Sequence, residues 1–166
     1  PEVVVVVASS GRIVGATLGN DVNLRDVEGR SGLLLGKAKD NNASCAIGPL
    51  IRLFDGDFTI DSVRHMQLTL TVEGEDGYVL KGGSNMSRIS RDPEDLVGQM
   101  LNASHQYPDG AVLFLGTLFA PVEDRDDLVP RPVADPAVAG RPAVVWGVAS
   151  GDREVDVEGH RAAEIA

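Results

Sequence analysis

The sequence predicts a mainly β domain of the α+β class, and three observations carry this prediction. Two apolar runs rich in β-branched residues open the chain, with only a short turn between them. A later stretch alternates apolar and polar residues as a half-buried strand does. One segment alone combines a helix start with apolar residues at helical spacing. With 166 residues, 43% of them hydrophobic, the chain is long enough to bury the core of one domain.

The chain opens with a predicted β-hairpin. Residues 3–8 form a continuous apolar run, which is typical of a strand buried on both faces. Residues 9–12 are turn-forming, and residues 13–18 resume the apolar pattern. These two runs are therefore expected to pair in antiparallel fashion.

A short helix and a kinked strand are expected next. Asn20 or Asp21 would cap a helix that runs through Glu28, because a short polar side chain there accepts a bond from the first helical turn. Residues 46–54 are apolar enough for a strand. The Gly48-Pro49 pair inside it predicts a kink or an edge position.

The middle of the chain predicts a second hairpin and the clear helix. Residues 67–72 alternate strictly, and a glycine-containing turn leads back into residues 78–80. A helix is predicted over residues 92–104, where Asp92 caps the first turn and Pro93 takes the first helical position. The glycine-rich stretch after the hairpin is expected to be a plain connecting loop, although its polar residues could line a site.

The last part of the chain changes in character. Residues 111–115 predict a buried strand that runs into Gly116-Thr117. From about residue 123 the sequence mixes Pro, Ala, Val and Arg without a clean period. We therefore predict one domain over residues 1–122 and a divergent tail over residues 123–166. The tail is expected to be poorly ordered, with residues 143–148 as a candidate strand.

Charge and composition exclude several classes of partner. The formal net charge of −10 argues against nucleic acid and against an anionic membrane surface, since both require clustered Lys and Arg. The sequence contains no apolar segment long enough to span a bilayer. The single cysteine, Cys45, excludes an internal disulfide and fits a reducing compartment, so a cytoplasmic protein is expected. Cys45 itself is expected to be a small buried core residue.

A cluster of charged residues follows the first hairpin. Residues 19–26 place two carboxylates and a guanidinium together, Glu2 precedes the hairpin, and Lys37 and Lys39 come shortly afterwards. Such a set predicts a cation site that handles an anionic substrate. The structural alternatives are that Asp21 only caps a helix and that the lysines are solvated.

Four motifs in this order resemble the fumarylacetoacetate hydrolase family. They agree in order and spacing over residues 2–121. The matching pieces are Glu2, Asn20-Asp21-x-x-x-Arg25-Asp26, Lys39 ahead of Gly48-Pro49, and Gly116-Thr117. Residues 26–30 and 86–93 also resemble the members that act on 2-keto-3-deoxy sugar acids, some of which are dehydratases and others hydrolases. The resemblance implies the mixed β-roll of the family's C-terminal domain.

The resemblance implies an enzyme that uses Mg²⁺ or Mn²⁺ to act on a 2-keto acid, either a sugar acid or an acylpyruvate-like compound. Cleavage of a C–C bond or loss of water would proceed through a metal-stabilised enolate. The resemblance assigns Glu2 and Asp21 to the metal, and Arg25, Glu28 and Thr117 to the substrate. The alternative for Arg25 is an ion pair with Asp21 at helical spacing. A homodimer is expected by resemblance alone.

Two lysines compete for the catalytic position that the resemblance implies. Counting back from Gly48-Pro49 selects Lys39, whereas counting forward from residues 35–36 selects Lys37. We prefer Lys39 because its reference point is a predicted strand. It would stabilise oxyanion charge or, with a depressed pKa, move a proton.

The sequence also departs from the family pattern. Members typically carry two acids ahead of the first strand, and here Glu2 alone corresponds to them. The region that usually supplies a general base has no counterpart, so the chain looks like a C-terminal domain fragment. The alternative function is therefore a catalytically inactive fragment or a ligand-binding remnant of the family.

Overall fold

A computed structural model describes residues 1–40, 42, 44–73 and 77–119, together with the backbone of residues 143–150 and 153–157. For Arg25 and Asp26 it describes the backbone alone. The strands are β1 (Glu2–Val7), β2 (Ile13–Asp21), β3 (Cys45–Ile47), β4 (Arg52–Leu53), β5 (Gln67–Glu73), β6 (Val79–Asn85), β7 (Ala111–Phe114), β8 (Ala143–Ser150) and β9 (Arg153–Val157). The helices are α1 (Arg25–Glu28), α2 (Leu35–Lys39), α3 (Ile60–Arg64) and α4 (Pro93–Met100), with 3₁₀ turns at Gly32–Leu34 and Met86–Arg88.

The described strands form two antiparallel sheets, which confirms the mainly β fold. The first sheet has the order β3-β2-β1-β7, and β4 also pairs with β2. The second has the order β6-β5-β8-β9. Both predicted hairpins are present as β1–β2 and β5–β6.

After Glu2, the strand β1 is apolar because the side chains on both of its faces are buried or half-buried. Val3, Val5 and Val7 point into the main core, where they meet side chains such as Leu68 of the second sheet. Val4 points the opposite way and is also fully buried. A run of this kind carries no alternation in its sequence, which is why it is predicted as a strand buried on both faces.

The predicted helix cap at Asn20 or Asp21 is wrong. The strand β2 continues through Asp21, because Asn20 and Asp21 pair with Ala46 and Cys45 of β3. The helix starts only at Arg25. Local capping preference is weaker than a pairing that completes a sheet, and that pairing joins residues too far apart for the local pattern to show.

The candidate strand over residues 46–54 is divided in two. Gly48-Pro49 separates β3 from β4, as a proline inside an edge strand predicts. The glycine-rich stretch before Met86, predicted as a loop, instead belongs to β6. Its seven-residue pairing with β5 holds it in the second sheet despite the glycines.

The helix predicted over residues 92–104 is shorter than expected. The Asp92 side chain accepts a hydrogen bond from the Glu94 N–H, as its role as cap predicts, but α4 ends at Met100. Residues 102–105 form a turn closed by hydrogen bonds between Asn102 and His105. In the described part of the chain, no helix is long and apolar enough to cross a membrane.

The tail predicted from residue 123 lies largely outside the described residues. Its candidate strand is present as β8, which pairs with β5 and β9. The domain boundary at residue 122 stays a prediction.

Gly19 allows the close packing of the first sheet beside the charged cluster. A Cβ atom at this position would lie 2.5 Å from both the Phe114 ring and a Val4 methyl group. We expect Gly19→Ala to lower the free energy of unfolding by about 1–3 kcal/mol through overpacking. Urea denaturation measures this change.

Gly98→Ala is the matched control, because a Cβ atom there meets nothing within 4 Å inside α4. It should stabilise the protein by about 0.5–1 kcal/mol, since alanine is the better helix former. Equal midpoints for parent and Gly19→Ala would contradict the packing argument.

Candidate functional site

Two carboxylates lie on one face of the first sheet, at the end where β1 begins and β2 ends. Glu2 is directly opposite Gly19 in the register of the hairpin. Asp21 is two residues beyond Gly19 in the same strand, so its side chain points to the same face as that of Glu2. Glu2 and Asp21 are thus diagonal neighbours across the strand pair.

The carboxylate of Glu2 is buried and held by a backbone group. Its side chain is only 6% exposed. Its Oε2 accepts a hydrogen bond of 2.8 Å from the Gly116 N–H. Burial raises the pKa of Glu2 above its ordinary value, the bond from Gly116 offsets part of this, and the charge of Asp21 raises it further. Glu2 is therefore a carboxylate that a nearby positive charge would stabilise.

Lys39 supplies positive charge at this point. It is the last residue of α2, and its Nζ donates a hydrogen bond to Asp21 Oδ2. The end of α2 is held to the segment that follows β2, because the Leu24 N–H donates to the Ala38 carbonyl at 2.9 Å. The hydrogen bond to Asp21 raises the pKa of Lys39, and the charges of Glu28 and Glu2 add to this effect.

The ion pair between Lys39 and Asp21 contributes more to the placement of the two side chains than to the stability of the fold. The two side chains are 41% and 23% exposed. An ion pair so open to water contributes about 0–1 kcal/mol to folding. Its main consequence is that the amine and both carboxylates occupy one end of the sheet.

The structure separates the two lysines that the sequence left open. Lys37 Nζ forms an exposed ion pair of 2.9 Å with Asp40. Lys39, by contrast, reaches Asp21. The geometry thus agrees with the preference for Lys39, whose catalytic role stays a prediction.

The three residues expected to bind the substrate differ in their burial and in their contacts. Glu28 is half-buried, and its charge contributes to the raised pKa of Lys39. Thr117 is exposed, and its Oγ1 accepts a bond of 3.2 Å from the Phe119 N–H. For Arg25, the helical pair with Asp21 is wrong, because Asp21 lies in β2 while Arg25 begins α1. Substrate binding by these three residues stays a prediction.

The prediction that Cys45 is buried in the core is wrong. Cys45 is exposed on β3, directly opposite Asp21. The three residues of β3 are all exposed because the strand lies at the edge of the first sheet. An apolar sequence neighbourhood does not distinguish such an edge from a central strand.

Two polar features beside the cluster had no clear signal in the sequence. One is the Gly116 N–H, which holds Glu2 across a sequence separation of 114 residues. The only hint was the glycine itself, which has a φ of 87°. The other is the side-chain oxygen of Asn23, which is buried without a hydrogen-bond partner in the described part of the chain.

The described donors fit a hard divalent cation. Glu2 and Asp21 offer carboxylate oxygens on one sheet face, and Mg²⁺ is commonly held by one or two carboxylates together with waters and substrate oxygens. A dication would also offset the burial and the like charge that raise the pKa of Glu2. Among the described residues, no group of three or more His, Cys, Asp or Glu side chains is arranged to hold a metal ion.

The chain is similar in sequence and fold to 2-keto-3-deoxy sugar acid dehydratases. No protein-family model matches the sequence. The 2-dehydro-3-deoxy-D-arabinonate dehydratase of Saccharolobus solfataricus is 33% identical over 125 residues, which are 75% of this chain and 41% of that protein. The probable 2-keto-3-deoxyxylonate dehydratase of Haloferax volcanii is 29% identical over 121 residues, or 73% of this chain and 40% of that protein.

A solved structure shows the same similarity. The structure of 2-keto-3-deoxy-D-arabinonate dehydratase complexed with magnesium and 2,5-dioxopentanoate matches with a TM-score of 0.65 at 27% identity. The match covers 98% of this chain and 53% of that chain. The chain spans about two fifths of the length of the curated relatives that it matches.

We expect Glu2→Gln to change the pH dependence of stability in protein kept free of metal with a chelator. The raised pKa means that the Glu2 contribution to stability is fully present below about pH 4.5 and is lost as the pH rises through the raised value. Glutamine is uncharged and its amide oxygen can still accept the Gly116 bond. Relative to the variant, the parent should therefore lose stability as the pH rises from about 4.5 through the raised pKa of Glu2.

Urea titrations of both proteins at several pH values measure this difference. A difference in unfolding free energy that stays constant across the range would contradict the argument.

Proposed function

We propose that this chain carries part of the active site of a metal-dependent 2-keto-3-deoxy sugar acid dehydratase of the fumarylacetoacetate hydrolase family. The observation that carries the proposal is the placement of Lys39 against Asp21, on the sheet face that holds the buried Glu2. The four motifs in order and the similarity to sugar acid dehydratases support it.

We propose dehydration rather than C–C hydrolysis because the similar proteins are dehydratases. In this reaction a proton leaves C3 of the 2-keto acid and hydroxide leaves C4, so water is lost overall. Bound Mg²⁺, or Mn²⁺, would polarise the keto oxygen and make the C3 proton more acidic. Glu2 and Asp21 would hold this ion, and Arg25 would bind the substrate carboxylate in a bidentate fork.

The proposed role of Lys39 is electrostatic. Its pKa is raised by the hydrogen bond to Asp21, so the side chain is an ammonium at neutral pH. An ammonium donates hydrogen bonds to developing oxyanion charge, whereas a general base would need a depressed pKa. Glu28 and Thr117 would complete the polar contacts to the substrate from α1 and from the segment after β7.

A second candidate function is a ligand-binding remnant without turnover. The described residues supply two carboxylates and no third metal-binding side chain beside them. We propose that the chain corresponds to part of a longer enzyme, in line with its coverage of the relatives. Metal binding without dehydration would favour the remnant.

We propose that the protein is a cytoplasmic homodimer. Large apolar side chains are exposed in and before β4, such as Leu53 at 60% and Leu50 at 75%, and Leu33 is 94% exposed in the 3₁₀ turn before α2. Apolar surface of this extent favours a partner surface over solvent. Sedimentation velocity on the parent and on Leu50→Ser measures the state, and a parent that sediments as a monomer at all concentrations would contradict the dimer.

Magnesium binding should depend on Asp21. We expect calorimetric titration of the parent with Mg²⁺ to give a binding heat that Asp21→Asn removes, because the variant loses a charged ligand. Asp40→Asn is the matched control, since Asp40 is a nearby acid that pairs with Lys37 instead. Absence of heat in the parent would overturn the metal site.

Substitution of Lys39 should change both metal binding and dehydration, whereas substitution of Lys37 should change neither. Lys39→Met removes positive charge beside Asp21, so Mg²⁺ should bind about fivefold more tightly, while dehydration should slow by roughly 10²-fold or more. Lys37→Met should leave both unchanged, because Lys37 pairs with Asp40 in solvent. Calorimetry and loss of the 2-keto acid measure the two effects, and equal behaviour of the two variants would contradict the assignment.

A further inference from the structure

We infer that Ser84 positions the Glu2 carboxylate through residues 115–119, which we call the crossing segment. Ser84 lies in the second sheet and does not touch Glu2 itself. It acts through backbone hydrogen bonds of the crossing segment, so it is a positioning residue. The expected effect of Ser84 on Mg²⁺ affinity rests on the proposed function.

The crossing segment leaves the first sheet beside Glu2. The Leu115 N–H donates to the Val3 carbonyl at 3.0 Å, which extends the pairing of β7 with β1 by one residue. The next residue, Gly116, donates its N–H to Glu2 Oε2. Its φ of 87° turns the chain away from β1, in a conformation that residues with a side chain rarely adopt.

The same segment is anchored on the second sheet two residues later. The Leu118 N–H donates to Ser84 Oγ at 3.1 Å. The Phe119 ring lies directly against Gly82, where a Cβ atom would overlap the ring. Gly82 and Ser84 are two residues apart in β6, so both anchors are on one face of that sheet.

These contacts leave the crossing segment little freedom. Only Thr117 separates the residue that holds Glu2 from the residue that Ser84 holds, and its Oγ1 accepts the Phe119 N–H. Ser84 is 7% exposed and Glu2 is 6% exposed, so water does not readily replace either partner. A shift at Ser84 is therefore transmitted to the Gly116 N–H. That group in turn sets which Glu2 oxygen is left to bind a cation.

Ser84→Ala tests this link through hydrogen exchange followed by NMR. The Gly116 amide should exchange at least severalfold faster in the variant, whereas the Leu115 amide, held by Val3, should not change. Mg²⁺ affinity should fall about tenfold, the lower end of the range for groups that orient a metal ligand. Ser84→Thr keeps a hydroxyl acceptor and should restore both values.

Ser87→Ala is the matched control, because Ser87 is an exposed serine whose hydroxyl donates to the Arg64 carbonyl at 3.4 Å. If Ser84→Ala fails to fold, Phe119→Ala removes the other anchor and should accelerate Gly116 exchange in the same way. Unchanged Gly116 exchange in a folded variant would overturn the inference whatever magnesium does. Faster Gly116 exchange in Ser84→Ala, together with a parent that binds no magnesium, would support the link and overturn the proposed metal site instead.

Discussion

The antiparallel register of β1 against β2 decides where the two carboxylates of the site lie. It sets Glu2 opposite Gly19, and so places Asp21 on the same face two residues further along. It also turns Val3, Val5 and Val7 toward the core. Because side chains alternate along a strand, a slip of one residue would move Glu2 into the core and Val3 onto the face of the site. Core packing and site geometry therefore depend on the same hydrogen bonds.

That register creates an electrostatic conflict that the surroundings offset only in part. Two carboxylates share one sheet face, and one of them is buried. The Gly116 N–H and the Lys39 amine supply positive partners, yet the pKa of Glu2 remains raised. Such a site gains stability from a bound cation, so the conflict is expected at a metal centre and would be costly at a purely structural position.

Local patterns predicted the elements well where the signal and the structure involve the same few residues. The first hairpin was predicted from apolar runs about a turn, the second from alternation and a turn, and the start of α4 from the Asp92 cap. Each of these signals acts within a few residues. Prediction failed where pairing with a segment distant in the sequence determined the local structure. The pairing with β3 kept Asn20 and Asp21 in a strand, and the edge position of β3 exposed Cys45. The helix α3, which was not predicted, begins at a capping box of Thr59 and Ser62, and this too is a local signal.

Residue types and the order of motifs in the sequence suggested Glu2, Asp21 and Lys39 as site residues, and the structure brings these three to one end of the first sheet. Their action on an anionic substrate with a divalent cation stays a prediction. Their arrangement depended on folding. The sequence did not show that Lys39 would pair with Asp21 while Lys37 pairs with Asp40, since that follows from how α2 ends against β2. Nor did it show the hydrogen bond from Gly116 to Glu2 or the one from Leu118 to Ser84. Those contacts join residues 114 and 34 positions apart. The first forms where β7 pairs with β1, and the second forms where the crossing segment reaches the second sheet.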